Sequence, residues 1–208
     1  MTAPPRQIDP QRILIVRTSA LGDVVHALPV LTALRRHLPG ARIGWVVEAA
    51  MAPLLAGHPD LDELLVVRLR EWRRRPLAAA TRRELGGSLS ALRHFAPELA
   101  LDLMGNHKAG ALAALSGARR RIGAARAGRR EPSSALWINE PVAPRGLHAV
   151  DRGLALLDAL GLPTEPPDFG GARLLAGARL EPPPAPFVLL HPGAAGAGKR
   201  YPPERWGE

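Results

Sequence analysis

The chain has 208 residues, enough for one large domain or for one domain and part of another. Its net charge of +9 at neutral pH comes mostly from arginine, since lysine occurs only at Lys108 and Lys199. This charge favours polyanionic partners, namely nucleic acid, phosphate groups or an anionic lipid surface, although the arginine preference of a GC-rich genome explains it equally well. The absence of cysteine excludes disulfides, thiolate metal sites and a cysteine nucleophile.

Short apolar segments alternate with helical patterns over the first 160 residues. Strands are predicted at residues 13–16, 43–47, 64–67 and 99–103, with 120–122 as a candidate fifth, and helices at residues 24–38, 49–56, 81–95, 109–115 and 149–160. Pro29 either kinks the first helix or begins it. Residues 124–144 are expected to be irregular. This alternation predicts an α/β fold, a Rossmann-like parallel sheet with flanking helices.

The composition changes near residue 163, and this change suggests the domain boundaries. Residues 163–186 contain seven prolines and three glycines, a composition typical of an interdomain linker. We therefore expect a loose tail at residues 1–11, a domain at 12–162, the linker at 163–186 and the start of a second domain at 187–208. No stretch approaches the roughly 18 apolar residues of a transmembrane helix, and the proline-rich N-terminus does not resemble a signal peptide.

Asp23 follows the first predicted strand after a short turn. Ligands of open parallel sheets bind at the carboxyl ends of strands, so this carboxylate is either a general base or only a helix N-cap. His26 lies on the same side if the turn is helical, as a second polar group of a site or as a capping-turn side chain. The other candidate contacts of this first loop are Thr18, Ser19 and Gly22.

Three later segments carry basic side chains after predicted strands. Arg68–Arg75 contains clustered arginines and a tryptophan, which suits phosphate groups or single-stranded nucleic acid, or simply a solvated loop. Gly105–Lys108 presents its lysine either to an anionic ligand or to solvent. Gly193–Lys199 is not a Walker A motif, because Arg200 stands where Ser or Thr would hold magnesium. Its glycines and lysine either bind an anion or form a flexible loop. No His, Asp and Glu cluster has metal-ligand spacing.

Six segments occur in a characteristic order: ILIVRTSALGDVVHALPVLTALRRHLPGARIGWVVE, LREWRR, LDLMGNHKAGALAALSGARRRIG, REP, HAVDR and LLHPGAAGAGKRYPPERW. Together they resemble glycosyltransferase family 9, the ADP-heptose:lipopolysaccharide heptosyltransferases, over most of residues 12–206. LREWRR and HAVDR resemble the enzymes that add the first heptose more than those that add the second. Glu71 stands where a further arginine is expected, which implies weaker acceptor binding.

This resemblance implies the N-terminal half of a two-domain glycosyltransferase B fold, with the site between two Rossmann-like domains. It implies inverting transfer of heptose from ADP-heptose to an anionic glycolipid, the inner-core Kdo-lipid A, with no metal and no cofactor. The implied location is the cytoplasm, peripheral to the cytoplasmic face of the inner membrane, with no transmembrane segment and no nucleic-acid partner. We expect the chain to be a fragment that lacks most of the donor domain and is inactive by itself.

Roles for individual residues also follow from the resemblance. Asp23 matches the catalytic base and Lys199 the lysine that meets the donor phosphates. The acceptor-binding residues are Arg70, Arg73, Arg74 and Arg130, to which the position of Lys108 after a strand adds a fifth. The alternative function is a non-catalytic anion-binding module that uses the same basic surface on RNA or anionic lipid.

Overall fold

The computed structural model describes residues 10–163, 165–171, 184–188 and 203–205. The strands are β1 Arg12–Val16, β2 Arg42–Glu48, β3 Glu63–Val67, β4 Leu99–Asp102, β5 Arg120–Ala124 and β6 Glu140–Val142. The α-helices are α1 Leu21–His37, α2 Ala52–Leu55, α3 Leu69–Arg74, α4 Ala79–Phe95, α5 His107–Leu115 and α6 Ala149–Leu154. The 3₁₀ helices are Ala49–Met51, Arg126–Gly128, Pro132–Trp137, Ala155–Leu160 and Pro203–Arg205.

All six strands are parallel and form one sheet in the order β3-β2-β1-β4-β5-β6. The central strand β1 pairs with β2 on one side and β4 on the other, so Ile15 lies opposite both Trp45 and Leu101. The direction of strand addition reverses between β1 and β4, and such a switch point opens a crevice at the carboxyl ends of the strands. The predicted Rossmann-like α/β fold is confirmed.

Apolar side chains on both faces of β1 explain why the sheet is covered on both sides. Ile13 and Ile15 pack into a core beneath α1, whereas Leu14 and Val16 pack into a second core beneath α3, α4 and α5. The strand has no polar face, as expected for a parallel strand buried between two layers of helices. The carboxyl edge of the sheet therefore remains free for polar groups.

The first helix differs from the prediction at its start. It begins at Leu21 rather than at Val24 and continues through Pro29 to His37, so the alternative in which it begins at Pro29 is wrong. Proline removes one backbone hydrogen bond inside a helix. Here the buried apolar face, which includes Val24, Leu28 and Leu31 among others, keeps the helix in place on the sheet.

One α-helix, α3, and one strand, β6, were not predicted from the sequence. Helix α3 lies within Arg68–Arg75, where the sequence predicts no helix because only Leu69 and Trp72 supply an apolar spacing there. Strand β6 lies within the segment expected to be irregular, and its central Pro141 argues against a strand. It pairs only with β5, at the edge of the sheet, which is where proline is tolerated.

Contacts divide the chain into two compact units, residues 1–176 and 177–208. Within the first unit, residues 165–171 of the expected linker contact α1, since Arg36 pairs with Glu165 and lies 2.7 Å from Asp168. The boundaries at residues 162 and 187 remain a prediction, and most of the expected second domain lies outside the described residues. No helix in the described part of the chain is long and apolar enough to cross a membrane.

Candidate active site at the carboxyl edge of the sheet

A cavity of about 470 Å³ opens beside the carboxyl ends of β1, β4 and β5. Its wall is built by residues that follow β1, by Asp102–Gly105 at the end of β4, by Ala124 and Ala127–Arg130 after β5, and by α6. The strands β1 and β4 flank the switch point of the sheet. The cavity therefore lies where this type of fold binds its ligands.

Asp23 lies on the wall of the cavity with both carboxylate oxygens engaged. Its Oδ2 accepts a hydrogen bond from the amide of Ala20 at 3.1 Å, and its Oδ1 lies 2.8 Å from Nη2 of Arg17. The residue is the third of α1 rather than its N-cap, which is Ala20. With 41% of its side chain exposed, the carboxylate can meet a ligand as well as support the helix. The alternative that Asp23 is the N-cap is therefore wrong, because Asp23 supports the start of α1 from the third helical position instead.

Arg17 holds the Asp23 carboxylate and was missed by the sequence analysis. Its carbonyl accepts a hydrogen bond from Nε1 of buried Trp45 at 3.0 Å, and its guanidinium also donates to the Leu103 carbonyl. Burial lowers the pKa of Arg17, and the positive charge of Arg130 lowers it further, while Asp23 opposes the change. An arginine stays charged in a protein. The charge of Arg17 is offset by Asp23, so it is the exposed Arg130 on this wall that favours an anionic ligand. Arg17 could have been found from its position, because it is a charged residue directly after a buried strand.

The remaining first-loop candidates divide into one that reaches the cavity and three that do not. His26 lines it, as helical spacing from Asp23 predicts, and its ring meets that of His148 edge to face with centroids 4.9 Å apart. Its Nδ1 is buried without a hydrogen-bond partner among the described residues. Thr18 is buried and donates to the sulfur of Met104. The residues Ser19 and Gly22 are not part of the cavity wall.

A buried ion pair joins the two loops that form the far side of the cavity. Asp102 Oδ2 lies 2.5 Å from Nη2 of Arg129, and both side chains are fully buried. The other carboxylate oxygen accepts from the amides of Met104 and Gly105, and Arg129 also donates to Oγ of Ser134. Gly105 has φ +66°, and a Cβ there would lie 3.2 Å from Cα of Arg129. This close approach fixes the backbone that carries the next residue, Arg130.

The predicted acceptor-binding residues do not all meet in the cavity. Arg130 lines it together with Arg152, which the sequence analysis missed. Lys108 is exposed and borders a separate apolar groove, and Lys199 lies outside the described residues. The exposed residues on α3 that stand apart from the cavity wall are Arg70, Arg73 and Arg74.

These separate basic residues nevertheless share one edge of the sheet with the cavity. Helix α3 follows the carboxyl end of β3, and α5, which carries Lys108, follows that of β4. In a parallel sheet these ends lie on the same side. Within the described ranges, no group of three His, Asp or Glu side chains is placed to hold a metal ion.

The fold and the site together define a doubly wound α/β domain with a carboxylate and several arginines at its switch point. The sequence profile of glycosyltransferase family 9 (heptosyltransferase) matches residues 88–208. This chain belongs to glycosyltransferase family 9.

Individual relatives agree with the family assignment. Lipopolysaccharide heptosyltransferase 1 of Pseudomonas aeruginosa is 34% identical over 203 residues, which cover 95% of this chain and 56% of the relative. That of Escherichia coli K12 is 30% identical, covering 95% of this chain and 63% of the relative. The chain thus spans between half and two thirds of the length of these curated relatives.

Solved structures of heptosyltransferases also resemble this chain. The structure of the E. coli heptosyltransferase WaaC with ADP superposes with a TM-score of 0.83 at 28% identity, covering 94% of this chain and 62% of that chain. E. coli heptosyltransferase II superposes with a TM-score of 0.51 at 22% identity, a likeness of fold alone. The predicted closer resemblance to the enzymes of the first heptose is confirmed.

Proposed function

We propose that this chain carries the acceptor side of a heptosyltransferase, which moves heptose from ADP-heptose to the inner core of lipopolysaccharide, Kdo-lipid A. The observation that carries the proposal is the Asp23 carboxylate on the wall of an arginine-lined cavity at the switch point. Relatives named lipopolysaccharide heptosyltransferase 1, and a WaaC structure with ADP-2-deoxy-2-fluoro heptose, support the donor and the class of acceptor.

In the proposed reaction Asp23 acts as the general base. It takes the proton of an acceptor hydroxyl, whose oxygen forms a bond to the anomeric carbon of heptose while the bond from that carbon to the diphosphate breaks. The anomeric configuration inverts because the new bond forms opposite the departing one. ADP leaves with the electron pair, and a positioned cation is sufficient to stabilise its charge without a metal. Lys199 is the residue proposed for that cation.

The base needs an orienting group, and Arg17 provides it. The Arg17 guanidinium and the Ala20 amide each hold one oxygen of Asp23, so the carboxylate keeps one orientation while its free lone pairs face the cavity. A fixed base close to the reacting hydroxyl is the geometry that general-base catalysis requires.

The acceptor is proposed to bind along the basic carboxyl edge of the sheet. Arg130 contacts the part of the glycolipid that enters the cavity, and Arg70, Arg73, Arg74 and Lys108 contact its phosphates and carboxylates outside. Arginine binds such groups through paired hydrogen bonds, which suits a heavily anionic glycolipid. We further propose that the protein works at the cytoplasmic face of the inner membrane, where a lipid-anchored acceptor is presented.

Substitution of Asp23 tests this function. In a protein that joins this chain to a donor-binding domain, Asp23→Asn keeps the size of the side chain and one acceptor oxygen, yet removes the base, so the rate of heptose transfer should fall by roughly 10²–10⁴. Asp62→Asn is the matched control, because Asp62 is equally exposed (42%) and also pairs with an arginine, Arg35, but lies at the amino end of β3. Transfer is measured by mass spectrometry of the glycolipid product.

The two variants separate catalysis from support of the fold. Asp62→Asn should transfer heptose at the parental rate. Equal rates for Asp23→Asn and Asp62→Asn would show that Asp23 only caps its helix, and the proposed base would be wrong. Thermal unfolding of both variants, followed by circular dichroism, checks that neither loss reflects unfolded protein.

A further inference from the structure

Much of the positive charge of the chain is concentrated in one short stretch outside the cavity. Residues 68–83 contain seven arginines and one glutamate, a net charge of +6 out of the +9 of the whole chain. All seven arginines are exposed. In the described part of the chain only Arg68 among them has an acidic partner, with Glu71 at 3.4 Å. The other six are free to meet an anionic partner.

Exposed leucines accompany these arginines. Leu77 lies in the connection between α3 and α4 with 83% of its surface exposed, and Leu85 on α4 is 41% exposed. The first three turns of α4 contain no buried residue, and an apolar groove of about 170 Å³ separates this helix from α3 and α5. Leu85 and Leu89 line that groove, and Arg82 lies one turn before Leu85 on the same side of the helix.

The structure holds this pair of helices in place. The backbone amide of Arg70 at the start of α3 donates to the buried Glu48 carboxylate at 3.2 Å, and Nε1 of Trp72 donates to Glu84 of α4 at 3.0 Å. Strand β3, which leads into α3, is two strands from β1, or about 10 Å across the sheet. The basic, leucine-bearing surface thus shares the edge of the sheet that holds the candidate base.

We infer that this surface, formed by α3, the 75–78 connection and the first half of α4, docks on an anionic lipid bilayer. Arg75, Arg82 and Arg83 face lipid phosphates beside the three α3 arginines that are proposed for the acceptor, and Leu77 and Leu85 enter the boundary between headgroups and acyl chains. Basic residues interleaved with exposed leucines are the pattern of interfacial membrane binding. A surface for single-stranded RNA would present aromatic side chains for base stacking, but the one tryptophan here, Trp72, is buried. The inference rests on the proposed function for its setting, since a glycolipid acceptor lies in a bilayer.

Vesicle flotation tests the docking surface without donor or acceptor. The 208-residue chain is mixed with phosphatidylcholine vesicles that contain or lack phosphatidylglycerol, and we expect it to float only with the anionic ones. Arg82→Ala/Arg83→Ala should weaken this binding roughly thirtyfold, because each arginine near an anionic surface contributes about a fivefold factor. The matched control is Arg93→Ala/Arg119→Ala, which removes the same charge from two exposed arginines at the amino edge of the sheet.

A second pair of variants tests insertion of the leucines. Leu77→Ser should weaken binding to anionic vesicles about tenfold or more, as expected from loss of a buried leucine side chain. The control is Leu136→Ser. Leu136 is 67% exposed but lies outside this surface, so the substitution should leave binding unchanged. Neither leucine supports the core, so both variants should remain folded.

Three outcomes would overturn the inference. They are equal flotation with neutral and anionic vesicles, equal losses in the two arginine pairs, and displacement from anionic vesicles by stoichiometric single-stranded RNA. None of them bears on heptose transfer, because the vesicles contain no heptose acceptor. Conversely, loss of Asp23 function would leave vesicle binding intact, so the two proposals fail separately.

Discussion

Two fully buried charges, Asp102 and Arg129, form the far wall of the cavity. Burying an ion pair costs desolvation energy that the attraction between the charges rarely exceeds, unless further hydrogen bonds complete the geometry. Here two backbone amides and the hydroxyl of Ser134 supply those bonds. The pair therefore joins the loop after β4 to the loop after β5, and it positions Arg130 rather than contacting a ligand.

Removal of one partner of this pair should be costly. Arg129→Leu leaves the Asp102 carboxylate buried without its cation, and we expect the free energy of unfolding in urea to fall by about 3–5 kcal/mol. Asp102→Asn/Arg129→Leu removes both charges, so part of this loss should be recovered. If the double variant is less stable than Arg129→Leu alone, the cost comes from lost packing and capping rather than from an unpaired charge.

The residues of the site differ in whether the neighbouring sequence alone could reveal them. Asp23 and His26 could be found because a strand, a small-residue turn and a helix are contiguous in sequence, and Arg130 was found through family resemblance. Arg129 and Arg152 reach the cavity only because the residues after β5 and helix α6 are brought beside the ends of β1 and β4. A single sequence holds no information on that proximity.

Two glycines that look alike in the sequence have opposite roles in helices α5 and α4. A Cβ at Gly110 would lie 2.6 Å from the side chain of Trp137, whereas at Gly87 nothing lies within 4 Å. Gly110→Ala should therefore destabilise the protein by about 1–3 kcal/mol through overpacking. Gly87→Ala, the matched control, should stabilise it by up to about 1 kcal/mol through helix propensity. Urea unfolding measures both, and stabilisation by both would mean that Trp137 moves aside freely.

The edge strand β6 is joined to β5 by a pH-dependent contact. Glu140 accepts two hydrogen bonds from Arg120, at 2.8 Å each, and these bonds lower the pKa of Glu140 despite its partial burial. A carboxylate with a lowered pKa stabilises the fold above its unfolded-state pKa, ordinarily 4.5, and loses this effect as the pH falls through the folded value.

Glu140→Gln should accordingly be less stable than the parent at pH 7, by up to about 1 kcal/mol for such a half-exposed pair. The difference should shrink as the pH falls below the unfolded-state pKa of 4.5 and disappear once the pH lies below the lowered folded-state pKa, where the parental carboxylate is protonated. Urea midpoints of both proteins across this pH range measure the effect. Parallel curves for the two proteins would show that the Arg120 contact adds nothing to stability.

Strands were predicted accurately from the sequence where their residues are buried. The strands β1 to β4 are almost continuously apolar, and their predicted bounds differ by one residue at most at either end. Helix α3 could not be predicted, since its stability comes from tertiary contacts of Leu69 and Trp72 and from the Glu48 carboxylate at its start. Strand β6 could not be predicted either, because its three residues form a strand only through pairing with β5.

At the scale of the molecule, both apolar cores lie between residues 13 and 160. A chain ended after Gly171 should therefore fold alone and unfold at the temperature of the 208-residue chain. A chain ended after Leu162 loses the contacts of Arg36 with Glu165 and Asp168 and should unfold at a lower temperature. Calorimetry of the two shortened chains measures the difference. A lower unfolding temperature for the Gly171 chain would show that residues beyond 171 stabilise the first unit.

The chain-level assignments came from two kinds of information. Alternating strands and helices predict a parallel sheet, but the order 3-2-1-4-5-6 and the switch point depend on pairings between residues far apart in sequence. The choice of a sugar-transfer family came from motif order rather than from any physical property of the chain. Composition alone left nucleic acid, phosphate and lipid as equal candidates for its partner.

In the proposed reaction, the anchored carboxylate of Asp23 would also bear on selectivity among sugar hydroxyls. A carboxylate offers about four lone pairs, and two directions are already taken by the Arg17 guanidinium and the Ala20 amide. Rotation of the side chain would break both contacts, so a hydroxyl can approach only along the remaining directions. A sugar carries several hydroxyls of similar acidity. If Asp23 is the base, the angle of approach decides which of them is glycosylated, and that angle is set by a backbone amide and one arginine rather than by differences in reactivity.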